Sequence, residues 1–94
     1  MCFSATASFV TAAALTPLGL TCVPLARRLG AQRWMPLALT PLLFAAQQAL
    51  EGVVWLGLGR GASVAELRPV ALAYLAFAFA LWPIWMPWCA LRLG

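Results

Sequence analysis

The sequence predicts an all-α integral membrane protein with three transmembrane helices, and three observations support this fold class. Of 94 residues, 65% are hydrophobic and only 9% are charged, whereas an average soluble domain is about 45–50% apolar and about 25% charged. The apolar residues form three runs, each long enough for the roughly 20 residues that cross a bilayer. The six arginines lie at the ends of these runs. We therefore exclude a soluble globular domain and a disordered chain.

The three predicted helices form one membrane domain over residues 1–94 and cover about residues 4–25, 34–58 and 69–91. A backbone in lipid must satisfy its own hydrogen bonds, so a helix is the default for each run. Polar loops over 28–33 and 59–68 separate the runs, and we expect Pro69 in the first turn of the third helix. No positively charged segment precedes the first run, which we interpret as a spanning helix rather than a signal peptide.

The arginines also predict the orientation of the chain, because cytoplasmic flanks are enriched in positive charge. The first loop and the C-terminus carry four arginines, whereas the N-terminus and the second loop carry two. We expect the N-terminus outside and the C-terminus in the cytoplasm of a bacterial inner membrane. The tryptophans near the predicted cytoplasmic boundary are then interfacial anchors: Trp34, Trp82, Trp85 and Trp88. The last three also have the spacing of a stripe that could clamp a flat pigment, a quinone or a lipid headgroup.

A carboxylate in the second run is the first candidate for a functional site. Glu51 lies four residues from the predicted midpoint of its helix, about 6 Å along the axis. A carboxylate at that depth is costly, so we expect it to be neutral and hydrogen-bonded within protein. The polar side chains at a similar depth form the predicted intramembrane cluster: Glu51, Gln48, Gln47, Tyr74, Ser8 and Thr11. Such a cluster joins helices, handles a proton or ligand, or contacts a partner subunit.

Small residues and prolines suggest how the helices pack. Ser4, Ser8, Ala12 and Thr16 recur every four residues and predict a ridge that lets another helix approach closely, within the chain or across a subunit boundary. Prolines interrupt all three runs. Pro83, for example, removes a backbone N–H and frees the carbonyl four residues earlier, which predicts a kink.

The residues that are missing exclude several chemistries. The chain has no histidine, so no histidine can ligate haem, bacteriochlorophyll or zinc, or serve as a catalytic base. Its three cysteines are far apart and form no CxxC pair, which argues against a disulfide framework or a metal site. The net charge of +4 reflects membrane flanks rather than a nucleic-acid interface. We predict no catalytic residues and no metal.

Three segments resemble a family of uncharacterised bacterial integral membrane proteins, a domain of unknown function. They are MCFSATASF at residues 1–9, PLLFAAQQALEGVVWLG at 41–57 with its QQxxEG pattern, and LWPIWMP at 81–87. The resemblance covers nearly the whole chain and implies a polytopic inner-membrane protein without implying an activity. We expect typical members to be longer, with further helices after the third.

Two functions from different classes fit these observations. The first is a non-catalytic accessory subunit packed within a larger membrane complex of photosynthetic or respiratory type, where it contacts lipid and other subunits. The second is a small oligomeric transporter, channel or proton-linked protein that uses Glu51. A membrane enzyme fits less well, since the chain has a single intramembrane carboxylate and no histidine or aspartate. A bound lipid, quinone or carotenoid is compatible with either function.

Overall fold

A computed structural model of the chain describes residues 4–93. This part of the chain is almost entirely helical and contains no strand. Helix α1 is Ala5–Arg28, α2 is Met35–Gly59, and a third span over Val64–Leu93 consists of α3 (Val64–Ala76), a π-helical turn (Phe77–Leu81) and α4 (Trp82–Leu93). All three spans are long and apolar enough to cross a membrane. The predicted all-helical fold with three such helices is confirmed, and it suggests a membrane location.

Helices α1 and α2 pack as an antiparallel pair in which small residues allow close contact. The residues of α1 that are buried are Ser8, Ala12, Gly19 and Ala26. A methyl group built on Gly19 would lie 2.4 Å from Leu42 Cγ, and one on Gly52 would lie 2.7 Å from Phe9 Cζ. Glycine at these two positions therefore sets the distance between the helices, as small residues commonly do in membranes.

Two of the four residues of the predicted ridge on α1 are buried and two are exposed. Ser8 and Ala12 are buried, but Ser4 is exposed and caps α1 by accepting a hydrogen bond from Ala7 N at 3.1 Å. Thr16 is also exposed, and its hydroxyl donates to the Ala12 carbonyl at 2.7 Å. A strict four-residue spacing turns by about 40° per step around a helix, so it leaves the packed face after a few steps. The buried face continues instead through Gly19, at a seven-residue interval from Ala12.

Both loops begin with the same backbone motif. After α1, Gly30 has φ +66°, and the bonds Gly30 N to Arg27 O and Ala31 N to Ala26 O close the helix end. After α2, Gly61 has φ +73° and Ala62 N bonds to Gly57 O at 2.9 Å. These are Schellman motifs, which need a residue that tolerates positive φ.

The third helix begins five residues before the predicted start, so the expected loop over 59–68 is too long and Pro69 is not in the first turn. Ser63 caps this helix: its hydroxyl oxygen accepts a hydrogen bond from Glu66 N at 3.2 Å. The Ser63 hydroxyl also donates to Glu66 Oε1 at 3.3 Å, so the cap satisfies one of the free backbone N–H groups of the helix start. That local signal outweighs the preference of proline for the first turn. Pro69 instead lies in the second turn of α3.

The third span runs antiparallel to α2 and contacts α2 at one end and the loop that precedes α2 at the other. Leu67 lies against Gly57 near one end, and Arg92 Nη2 donates to the Gln32 carbonyl at 3.3 Å near the other. The most apolar 18-residue stretch of this span nevertheless has no buried residue, compared with 17% and 28% in the first two spans. The third span therefore leaves most of its apolar surface uncovered.

Candidate functional site

Polar side chains occupy the interior of the helix pair, where apolar side chains are usual. Ser8 and Gln48 are completely buried, and Gln47 and Glu51 are each 7% exposed. Among residues 4–93, Gln48 and Ser8 are the largest side chains with no exposed surface. Buried polar groups carry more information than exposed apolar ones, because burial without partners costs free energy.

Three of the predicted cluster residues come together near the junction of the helices. The contact between Phe9 and Gly52 places the neighbouring Ser8 at the level of Glu51 and Gln48. At 100° per residue, Gln48 lies between the side of α2 that contacts α1 and the side that contacts the third span. Gln48 and Glu51 both have interaction partners. The Ser8 hydroxyl oxygen has no hydrogen-bond partner among the described residues.

Of the other predicted cluster residues, Gln47 and Tyr74 line a separate groove. The Thr11 hydroxyl donates to the Ala7 carbonyl of its own helix at 2.8 Å. Gln47 is on the side of α2 that faces the third span, and its Oε1 accepts a hydrogen bond from the Trp82 indole N–H. Tyr74 is half-buried and lines the same side as Gln47. The polar residues thus form two sites, an interior cluster of Ser8, Gln48 and Glu51, and a groove that contains Gln47 and Tyr74.

The groove between α2 and the third span has a volume of about 480 Å³, and we call it the Gln47 groove. Aromatic rings form much of its wall, and the Phe44 and Trp82 rings lie 5.9 Å apart at an angle of 43°. Its lining residues are Thr40, Phe44, Gln47, Tyr74, Ala78, Trp82 and Met86.

Sequence reasoning did not predict four of these lining residues, namely Thr40, Phe44, Ala78 and Met86. A sequence pattern for two of them exists on the third span, where the lining residues recur every four positions from Tyr74 to Met86. In a regular α-helix this spacing drifts around the axis by about 40° per step. The π-helical turn at Phe77–Leu81 takes more residues per turn and keeps the four-residue spacing on one side.

Two of the four predicted interfacial tryptophans face protein instead. Trp82 donates to Gln47, and Trp85 Nε1 donates to Thr40 Oγ1 at 3.0 Å. Trp34 and Trp88 are 50% and 42% exposed, which suits an interfacial position. The Arg92 guanidinium lies 5.8 Å from the centre of the Trp88 ring, so a cation–π contact holds this arginine at the same end.

Comparison with known proteins places this sequence in a family. The model of a family of unknown function (DUF6629) matches residues 1–93. The chain belongs to this family. No curated protein and no solved structure matches it. The resemblance to an uncharacterised domain is therefore confirmed. The opening residues 1–3 of the MCFSATASF segment lie outside the described residues.

Within this DUF6629 chain, the two sites offer different chemistry. The residues from 4 to 93 contain no group of three or more histidine, cysteine, aspartate or glutamate side chains that could hold a metal ion. The interior cluster is enclosed by the chain's own helices, whereas the Gln47 groove opens to the surface and combines aromatic walls with an amide group. The groove is therefore the better candidate for contact with another molecule.

Proposed function

We propose that this protein is a non-catalytic accessory subunit of a larger assembly in the bacterial inner membrane. The observation that supports this function is the uncovered apolar surface of the third span, whose most apolar stretch has no buried residue. Phe79, Ile84 and Leu91 are each more than 70% exposed. A surface of this kind is covered in a membrane either by lipid or by the helix of another subunit.

The pattern of small residues on this surface favours another helix over lipid. Exposed alanine and proline residues follow each other at intervals of four and three along the third span, at Ala76, Ala80, Pro83, Pro87 and Ala90. Small side chains at this spacing allow two helices to approach closely, and close packing is what drives helix association in membranes. Lipid tails would gain nothing from this arrangement.

The burial of the polar residues supports the same function over transport. A small oligomeric transporter or channel would present Glu51 and Gln48 to a cavity shared between subunits. Both side chains lie inside this chain's own helix bundle instead, at 7% and 0% exposure. We therefore infer that Glu51 holds helices together, with proton-linked transport as the alternative.

The orientation forms part of the proposal. The hydrogen bond from Arg92 to Gln32 and the arginines at the end of α1 gather positive charge at one end of the molecule. Positive charge of this kind is typical of the cytoplasmic side. We propose that the first loop and the C-terminus face the cytoplasm and that the N-terminus lies outside.

The experiment that tests the function is native-size separation after mild detergent extraction, with mass spectrometry of the proteins in the same band. We expect the chain to migrate with larger membrane proteins in a constant ratio. Ala76→Leu should release it, because a leucine blocks close approach at the small-residue face. Ala14→Leu is the matched control, since Ala14 is exposed on α1. If the wild-type chain migrates alone or as a small homo-oligomer, the accessory role is wrong, and transport assays with Glu51→Gln should follow.

A further inference from the structure

The Gln47 groove contains a hydrogen-bond donor that the described part of the chain leaves unused. Gln47 is more than nine-tenths buried, with 7% of its surface exposed. An indole N–H can only donate, so the Gln47 atom that bonds to Trp82 must be the amide oxygen. The two N–H groups on Nε2 then point away from Trp82. The side-chain hydrogen bond that Gln47 makes among residues 4–93 is the one that its Oε1 accepts.

The position of this amide restricts what can bind to it. Gln47 is the central residue of α2, with twelve residues of the helix on either side, so it lies about 18 Å from each end. The hydrocarbon core of a bilayer is about 30 Å thick, which places the amide near its midplane. A charged or zwitterionic lipid headgroup does not reach that depth. A molecule that bonds to Gln47 must therefore be uncharged and soluble in lipid.

The walls of the groove restrict the shape of that molecule. Phe44, Tyr74 and Trp82 line the groove with aromatic rings, and Met86 adds a polarisable thioether. Aromatic rings pack well against a flat conjugated ring in stacked or tilted arrangements. Thioether sulfur also makes favourable contacts with aromatic rings. At about 480 Å³ the groove has the volume typical of small-molecule sites.

We propose that the Gln47 groove binds a lipid-soluble quinone-type molecule, a flat uncharged ring with a carbonyl oxygen that accepts a hydrogen bond from Gln47 Nε2. A saturated lipid chain would fill the apolar space but leave the buried amide without an acceptor. A ring carbonyl supplies the acceptor while the ring lies against Phe44 and Trp82. This inference does not depend on the accessory role, because the purified chain alone provides the groove.

The test is direct binding of a decyl-substituted benzoquinone to the purified chain in lipid nanodiscs, with protein-free nanodiscs subtracted to remove partitioning into lipid. We expect saturable binding of one molecule per chain. Ala78→Leu should weaken binding by about tenfold or more, because the larger side chain fills the groove. Ala65→Leu is the matched control, since it makes the same change at an exposed position of the same span, outside the groove.

A second pair of variants tests the hydrogen bond. Gln47→Leu should weaken binding about fivefold to tenfold, the effect of one hydrogen bond. Gln32→Leu should bind like wild type, because Gln32 lies outside the groove and contacts Arg92 through its backbone carbonyl. Decylbenzene, which has no carbonyl, should bind more weakly and be indifferent to Gln47→Leu.

Two results would overturn the proposal. One is non-saturable binding that matches partitioning into empty nanodiscs. The other is equal binding by the Ala78→Leu and Ala65→Leu chains, which would show that the groove does not hold the quinone. Circular dichroism and size on gel filtration confirm that each variant is folded, and the alanine pair keeps the test decisive if Gln47→Leu fails to fold.

Discussion

The closest contact between α1 and α2 predicts a large effect from a single methyl group. In Gly19→Ala the new Cβ would lie 2.4 Å from Leu42 Cγ, 2.6 Å from Leu42 Cδ2 and 3.1 Å from Leu42 N. Ordinary contacts of a Cβ atom begin at about 3.4 Å. Rotation of the Leu42 side chain can relieve only part of this overlap, because the backbone nitrogen is also close. The helices must therefore move apart.

The size of the effect follows from these distances. The required separation ranges from a few tenths of an ångström, if Leu42 rotates fully, to about 1 Å, and a gap of about 0.5–1 Å loses roughly a quarter to a half of the dispersion attraction of a contact. Overpacking of this kind costs about 1–3 kcal/mol, and the better helix propensity of alanine returns at most about 1 kcal/mol. We expect Gly19→Ala to lower the free energy of unfolding by about 1–2 kcal/mol.

The assay is reversible unfolding in mixed micelles with increasing sodium dodecyl sulfate, followed by far-UV circular dichroism. Gly59→Ala is the matched control, since a Cβ there has no atom within 4 Å. The loss of stability in Gly57→Ala should lie between those of the other two variants. A Cβ on Gly57 would contact mainly the mobile end of the Leu67 side chain, with Cδ2 at 2.2 Å. Equal stability of the Gly19→Ala and Gly59→Ala chains would refute the view that Gly19 sets the distance between the helices.

Three further predictions use the same unfolding assay or amide exchange. Glu51→Gln should keep nearly wild-type stability. Glu51→Leu should lose about 1–3 kcal/mol, because it leaves the groups around residue 51 without a polar partner. Equal losses in the two variants would contradict the inference that Glu51 holds helices together through hydrogen bonds. Ser63→Ala should cost about 1 kcal/mol and speed amide exchange at residues 64–67, and unchanged exchange there would show that the cap is dispensable. Trp82→Phe should lower the free energy of unfolding by about 1 kcal/mol, because it removes the hydrogen bond to Gln47. Trp88→Phe is the control and should leave stability unchanged. A similar loss from both variants would mean that the hydrogen bond contributes nothing.

The first two helices could be predicted from the sequence to within a few residues. Their ends are marked by composition alone, because the apolar runs stop at arginine and at glycine. The start of the third helix was predicted wrongly because Pro69 is a visible helix-start signal. The observed start is capped by Ser63, whose hydroxyl oxygen accepts a hydrogen bond from Glu66 N.

The candidate site could be predicted only in part. The sequence shows how far along its helix a residue lies more readily than it shows which neighbouring helix that residue faces. Counting residues from the helix ends grouped Ser8, Gln48 and Glu51 at a similar depth, and all three are buried. The same counting could not show that Gln47 faces the third span, because that depends on which side of α2 the span occupies. The bond between Gln47 and Trp82 joins residues 35 positions apart, and the sequence alone does not give the register between two separate helices.

The π-helical turn explains why the register between α2 and the third span could not be predicted from the sequence. Pro83 has no N–H and its ring clashes with the Phe79 carbonyl in a regular helix. Before the proline the helix widens into a π-helical turn, in which Trp82 N bonds to the Phe77 carbonyl five residues earlier. A turn with one more residue rotates everything after it by about 100° relative to a continuous α-helix. Without that rotation Trp82 and Trp85 would turn away from α2, so the wall of the Gln47 groove depends on how the helix accommodates one proline.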